Sequence, residues 1–197
     1  MTSASPDCDV TFIVRTCDDE ERIGHVLGRI ARYLAAHQLS AEIVVADEGS
    51  GDNSVAVAVM LRRTIREITV MHAEAGDGFR AACQRARGRV IVLADARTDA
   101  PLGPVGYALG RLRDGLDVVA LGGRYLVLRR TRAWRAFDAL VGRRDPHAVE
   151  TRFLRRARHL GLACTVTKRT RRRPLRAWLR LFAFRGTRAV GASGDPA

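Results

Sequence analysis

The chain has 197 residues, 47% hydrophobic, 28% charged and 6% aromatic, enough for one mid-sized domain with its own core and too few for two full ones. Disorder throughout is excluded, and no uninterrupted apolar run approaches the roughly 20 residues of a bilayer-spanning helix, so the expectation is a soluble, cytoplasmic protein. Lys and Arg number 34 against 21 Asp and Glu, a net charge of +13, and that surplus calls for an anionic partner: nucleic acid, an anionic membrane surface or a phosphorylated small molecule.

Residues 1–8 read as a flexible N-terminus. Val10–Arg15 is a β-branched apolar strand, followed by the acids Asp18 to Glu21 and a helix with Ile23, Val26, Leu27, Ile30 and Leu34 at helical spacing. Glu42–Ala46 is a second strand, closed by the turn Asp47-Glu48-Gly49-Ser50-Gly51-Asp52-Asn53-Ser54, whose last residues can cap a helix from near Val55. Ile68–Met71 is a third strand, Phe79–Arg87 a short helix, and Val90–Ala94 a fourth strand running into the acidic loop Asp95–Asp99. After Pro101 and Pro104 a helix extends to about Arg113. Strands follow at Asp117–Leu121 and Tyr125–Leu128, then arginine-rich helices near Arg132–Val141 and Pro146–Leu160, and a short strand at Cys164–Val166.

This alternation predicts an α/β fold, a Rossmann-like, mostly parallel sheet with helices on both faces, over residues 9–166. Residues 167–190 hold a basic segment, Lys168–Arg173, and an amphipathic helix, Pro174–Phe184, with Leu175, Trp178, Leu179 and Phe182 on one face; 191–197 read as a disordered tail. Cys8, Cys17, Cys83 and Cys164 are far apart, with no C-x-x-C pair, and suggest neither a zinc site nor a redox motif.

In an open parallel sheet ligands bind beyond the carboxyl ends of the strands. The loops there carry the acids: Asp18 after the first strand, Asp47 after the second, Asp95 after the fourth. No G-x-G-x-x-G follows the first strand and no P-loop occurs, which removes the usual dinucleotide and Walker sites.

VTFIVRTCDDEERIG, EIVVADEGSGDNS and GFRAACQRARGRVIVLADARTDAP together resemble the family 2 inverting glycosyltransferases of GT-A fold, which use nucleotide-sugar donors. EIVVADEGSGDNS is similar to that family's EIIVVDDGSTDNT, departing from it at Glu48 and Gly51. The resemblance implies that Thr16 and Asp18 line the base and ribose pocket and that Asp47, with Ser50 in its turn, accepts a hydrogen bond from a ring N–H of the base. An ionised carboxylate is acceptor-only and selects for such a donor. The bland alternative is that Asp47 and Ser50 only cap the next helix.

The family's Asp-x-Asp motif holds Mg²⁺ or Mn²⁺ against the donor diphosphate; here it reads Asp95-Ala96-Arg97. Three readings stay open: Asp95 with Asp99 or water holds a weakened ion, Arg97 pairs with the diphosphate in its place, or the site is inactive. AVETRFLRRARHLGL resembles the family's EDTDFLRRLRRLG, which places Glu150 as the base for the acceptor hydroxyl and leaves Asp145 as fallback; the alternative for Glu150 is a solvated ion pair with Arg152 or Arg155. Gly122-Gly123-Arg124-Tyr125 resembles an acceptor-side turn, and Arg80, Arg129, Arg130 and Arg156 are candidates for the diphosphate.

The expected partners are a nucleotide-sugar and a small-molecule or lipid-linked acceptor. Pro174–Phe184 would lie on an anionic membrane, pack on the core or form a homodimer. The function read here is therefore inverting glycosyl transfer, with a catalytically inactive binding or assembly protein on the same scaffold as alternative. Nucleic-acid binding is disfavoured, because no stacking aromatics interleave with the arginines.

Overall fold

A computed structural model describes residues 8–141 and 145–167. Strand β1 (Cys8–Thr16) lies between β2 (Ala41–Asp47) and β4 (Gly88–Asp95), and β3 (Ile68–His72) adds to β2; all four are parallel. Then come β6 (Tyr125–Arg129), β5 (Val118–Ala120) and β7 (Cys164–Val166), giving one seven-stranded sheet in the order β3-β2-β1-β4-β6-β5-β7. β6 runs antiparallel to both its neighbours. Residues 121–124 are all that join β5 to β6, and a parallel neighbour would need a crossover of about a dozen residues or more.

Side chains alternate between two helical layers. Val10, Phe12, Val14, Ile43, Val45, Val92 and Ala94 pack against α1 (Glu20–His37), α2 (Ser54–Leu61) and α4 (Gly103–Arg113). Ile13, Val44, Ala46, Ile91 and Leu93 pack against α3 (Gly78–Arg85), a 3₁₀ helix (Trp134–Leu140) and α6 (Pro146–His159). Because both faces are covered, the central strands read as unbroken apolar runs rather than alternating ones.

The helix expected over Arg132–Val141 is instead one turn of α5 (Arg130–Ala133) continued by that 3₁₀ helix. Within it Ala136, Phe137, Ala139 and Leu140 are buried, with Trp134 and Arg135 on the exposed side.

Toward the amino end of the sheet a polar cluster replaces apolar packing. The Thr11 hydroxyl donates to Glu42 at 2.6 Å and accepts from the Gly88 N–H at 2.8 Å, and the Arg87 Nε donates to Glu42 at 2.8 Å. A Cβ on Gly88 would stand 2.4 Å from the Thr11 nitrogen, so the strands approach this closely only because residue 88 has no side chain.

All four cysteines are free thiols, and among the described residues no helix is long and apolar enough to cross a membrane. Residues 1–7, the Lys168–Arg173 run, the Pro174–Phe184 helix and the tail 191–197 lie outside the described residues.

Candidate functional site

The parallel register aligns the strand ends. Arg15 is the register partner of Asp95, Thr16 of Asp47, and Asp47 of His72, so residues remote in sequence meet at the carboxyl edge, where an open α/β sheet binds ligands.

The Asp47 side chain is buried. Its Oδ1 accepts from the Ser50 N–H at 3.2 Å and from the Ser50 hydroxyl, and its Oδ2 faces Nδ1 of His72 at 3.1 Å. Gly49, at φ +80°, makes the turn that folds Ser50 back. Opposite, Asp18 accepts from the Gly51 N–H at 2.7 Å while its own N–H donates to Ser50 Oγ at 3.1 Å, tying the loops after β1 and β2 into one wall.

The N-cap of α2 is Asn53, and the first helical N–H, that of Ser54, is taken by Asp52 at 2.9 Å, so neither Asp47 nor Ser50 caps the helix. Thr16 is buried with its hydroxyl 3.5 Å from Asp19, behind the wall rather than on its face. Glu48 reaches away to α3, accepting from the Gly78 N–H at 2.9 Å. Its extra methylene over aspartate gives that reach, and a Cβ on Gly78 would stand 2.8 Å from the Glu48 Oε1.

Asp95 is held on both oxygens. Oδ2 accepts from Arg15 through Nε at 3.1 Å and NH2 at 2.7 Å, and Oδ1 accepts from the Arg97 N–H at 3.0 Å. Arg15 is 3% exposed, with its guanidinium 4.6 Å over the Phe79 ring, a buried pair fixed by a fork and by stacking. Arg97 does not turn to Asp95. Its Nε donates to Asp19 at 2.9 Å and its NH2 to the Cys17 carbonyl at 3.0 Å.

A divalent cation of the Mg²⁺ or Mn²⁺ kind takes several oxygen ligands, usually more than one carboxylate. Here Asp95 is committed to Arg15, Asp19 to Arg97 and Cys17, and Asp99, its side chain 96% exposed, pairs outward with Arg29 at 3.1 Å. Among the described residues no three His, Cys, Asp or Glu side chains group at ligand distance. Of the three readings the sequence leaves open, an ion held by Asp95 with Asp99 has no such pair here, and the residues described do not fit a cation.

Glu150 lies on the second turn of α6, and its Oε2 accepts from the Gly123 N–H at 2.7 Å. Gly122 and Gly123 have φ of +62° and +72°, which aims that N–H at the carboxylate, and a Cβ on Gly123 would fall within 2.2 Å of the His147 ring. Burial pushes the Glu150 carboxyl above the usual glutamate range, against the opposite pull of the Gly123 N–H and of His147. The backbone bond to Gly123 thus stands in place of the solvated ion pair with Arg152 or Arg155. Asp145 caps α6 by accepting from the His147 N–H at 2.9 Å. Glu150 and Asp95 line one open cleft, together with Phe79, Gly123, Arg124 and Tyr125.

The model for the family described as glycosyl transferase family 2 matches residues 11–189. The chain belongs to glycosyl transferase family 2. No curated protein matches the sequence significantly. Among solved structures this family 2 chain is similar to TarS 1-349 of S. aureus at 15% identity and TM-score 0.64, covering 82% of this chain and 58% of that one. It is similar to the mannosyltransferase PcManGT of Pyrobaculum calidifontis at 18% and 0.61, covering 89% and 62%. It is similar to glucosyl-3-phosphoglycerate synthase of Mycobacterium tuberculosis at 16% and 0.61, covering 87% and 75%. These likenesses establish the GT-A fold, and the chain spans less than two thirds of the first two proteins.

Not every arginine that the family 2 motifs suggest reaches this edge. Arg129 is the register partner of Val90, near the start of β4, and donates to the carbonyls of Leu112 and Leu116; with Arg130 following it, both stand at the opposite end of the sheet. The cause is the antiparallel direction of β6. Arg156 pairs with Asp138 at 3.5 Å, more than a turn beyond Glu150 along α6. Arg80 is at the correct edge, but its guanidinium forks onto Asp77, one turn back. Sequence reasoning missed Arg15, Asp19 and His72. Only Arg15 left a signal, a charged residue ending an otherwise apolar strand.

Proposed function

We propose that this chain transfers a sugar from a nucleotide-diphosphate donor to the hydroxyl of a small-molecule or lipid-linked acceptor, with inversion at the anomeric carbon. The observation that carries this is the single cleft lined by Asp95 and Glu150 at the sheet edge that also holds the Asp47 turn. PcManGT binds GDP-Man and Mn²⁺, and the M. tuberculosis synthase binds UDP and Mn²⁺, which supports the donor class.

Asp47, fixed by Ser50, accepts the ring N–H of the base, and the Asp18–Gly51 wall flanks the ribose. Glu150 takes the proton of the acceptor hydroxyl as its oxygen attacks the anomeric carbon. That carbon's bond to the diphosphate oxygen breaks, and the electron pair leaves with the nucleoside diphosphate. Burial of Glu150 raises its basicity, as this step needs.

The test is saturation-transfer NMR of the purified protein with UDP- and GDP-sugars. One donor should give signals from both base and sugar, and Asp47→Asn, which adds an amide donor where an acceptor is needed, should weaken binding about tenfold or more, the cost of one mispaired polar contact. Absence of binding to every nucleotide-sugar would leave the inactive assembly protein as the better reading.

A further inference from the structure

We propose that the donor site works without a divalent cation, with Arg97 supplying the positive charge for the diphosphate and Arg15 converting Asp95 from a metal ligand into a fixed part of the frame. The proposal rests on the nucleotide-sugar reading above and adds to it the counter-charge at that site.

Asp95 is not available to a cation at low cost. Releasing it would leave the Arg15 guanidinium, 3% exposed and stacked on Phe79, buried without the one carboxylate that pairs with it among the described residues. Its other oxygen already accepts the Arg97 N–H, which leaves one lone pair of Oδ1 for any further ligand. A cation would also enter beside a second guanidinium.

Arg97 is built as a ligand group rather than left as a solvated surface arginine. Its Nε and NH2 are spent on Asp19 and the Cys17 carbonyl, which fixes the plane of the fork, and NH1 has no partner among the described residues. Asp19 is itself rigid: 3% exposed, it accepts from the Cys17 N–H at 3.1 Å, and its own N–H donates to Ser54 Oγ at 2.8 Å. The Arg97 side chain remains 43% exposed at the carboxyl edge, against the loop after β1. A guanidinium so held offers a diphosphate directed, charge-assisted bonds with little ordering cost on binding.

The charges also balance. Arg15 and Arg97 against Asp19 and Asp95 sum to zero, as two carboxylates around one divalent ion would.

Isothermal titration of the 197-residue chain with UDP and GDP, in EDTA and in Mn²⁺, tests this with Arg97→Ala and Arg97→Lys alongside. The affinity of wild type should agree within about twofold between EDTA and Mn²⁺. Arg97→Ala should lose about tenfold or more, with Arg97→Lys between, since it keeps the charge without the fork. A gain of tenfold or more on adding Mn²⁺ to wild type would overturn the proposal and leave the donor reading standing. Metal-independent binding unchanged in Arg97→Ala would overturn the role of Arg97. Binding of neither nucleotide under either condition would overturn the donor reading and this proposal with it. The wild-type comparison needs no variant, so it stands even if a substitution disturbs the fold.

Discussion

Replacing Glu150 by Gln separates catalysis from architecture at one atom. The amide oxygen of Gln can still accept the Gly123 N–H that the carboxylate accepts at 2.7 Å, so the turn at Gly122-Gly123 keeps its anchor. What is lost is the capacity to take a proton. General-base catalysis contributes roughly 10²- to 10⁴-fold, so turnover should fall by that factor, about 3 to 5 kcal/mol of barrier. Stability should move the other way or not at all. Burial raises the Glu150 carboxyl in the folded protein, so between the unfolded and folded values the native state binds more protons, and wild-type stability falls as pH rises through that window. The Gln variant lacks that slope. Its melting temperature at pH 7 should equal or exceed that of wild type, by no more than the few degrees that about 1 kcal/mol is worth in a chain of this size. Initial rates of nucleoside diphosphate release in the presence of acceptor, paired with thermal melts at pH 5 and 7, read both quantities. A variant that melts well below wild type while retaining turnover would refute the assignment and make Glu150 a structural residue.

Asp95→Asn should destabilise the fold by about 3 to 5 kcal/mol, because it leaves Arg15 buried without a counter-charge, whereas Asp99→Asn should stay within about 0.5 kcal/mol at its exposed position; urea unfolding of the two variants gives the comparison. Gly88→Ala should cost at least about 1 to 3 kcal/mol in the same assay, since its Cβ would press on the Thr11 backbone. Burial by itself would raise the Glu42 carboxyl, but the hydrogen bonds from Thr11 and Arg87 outweigh it and hold it below the usual range. Its contribution is therefore present above the unfolded glutamate value and lost as pH falls through the folded one, and Glu42→Gln should flatten the acid limb of a plot of stability against pH.

Most of the sheet was legible because strands covered on both faces are written as apolar runs, and VTFIV, EIVVA and VIVLA are such runs. The direction of β6 was also within reach. Four residues between Ala120 and Tyr125 cannot carry a crossover, and reading them so would have removed Arg129 and Arg130 from the site. The 3₁₀ helix was not within reach, because the buried Ala133, Ala136, Phe137 and Leu140 have the spacing of an α-helix.

The placement of Asp47, Ser50, Asp18 and Asp95 at one carboxyl edge was legible where motif and turn chemistry coincide. The site was not legible where register decides. Arg15 and Asp95 are neighbours only because β1 and β4 pair in one particular register, and no local pattern 80 residues apart in sequence reports that. Asp19 and Arg97 meet for the same reason. Glu48 shows the converse, a departure from the family pattern that the fold explains locally, since its longer side chain caps α3 through Gly78.

The most direct measurement is a crystal structure of the protein with UDP or GDP bound. The base should lie against Asp47 beside His72, with the diphosphate on Arg97 and pointing into the cleft between Asp95 and Glu150. A nucleotide bound away from the carboxyl edge, or one whose diphosphate avoids Arg97 and the cleft, would contradict the assignment of this edge as the site of sugar transfer.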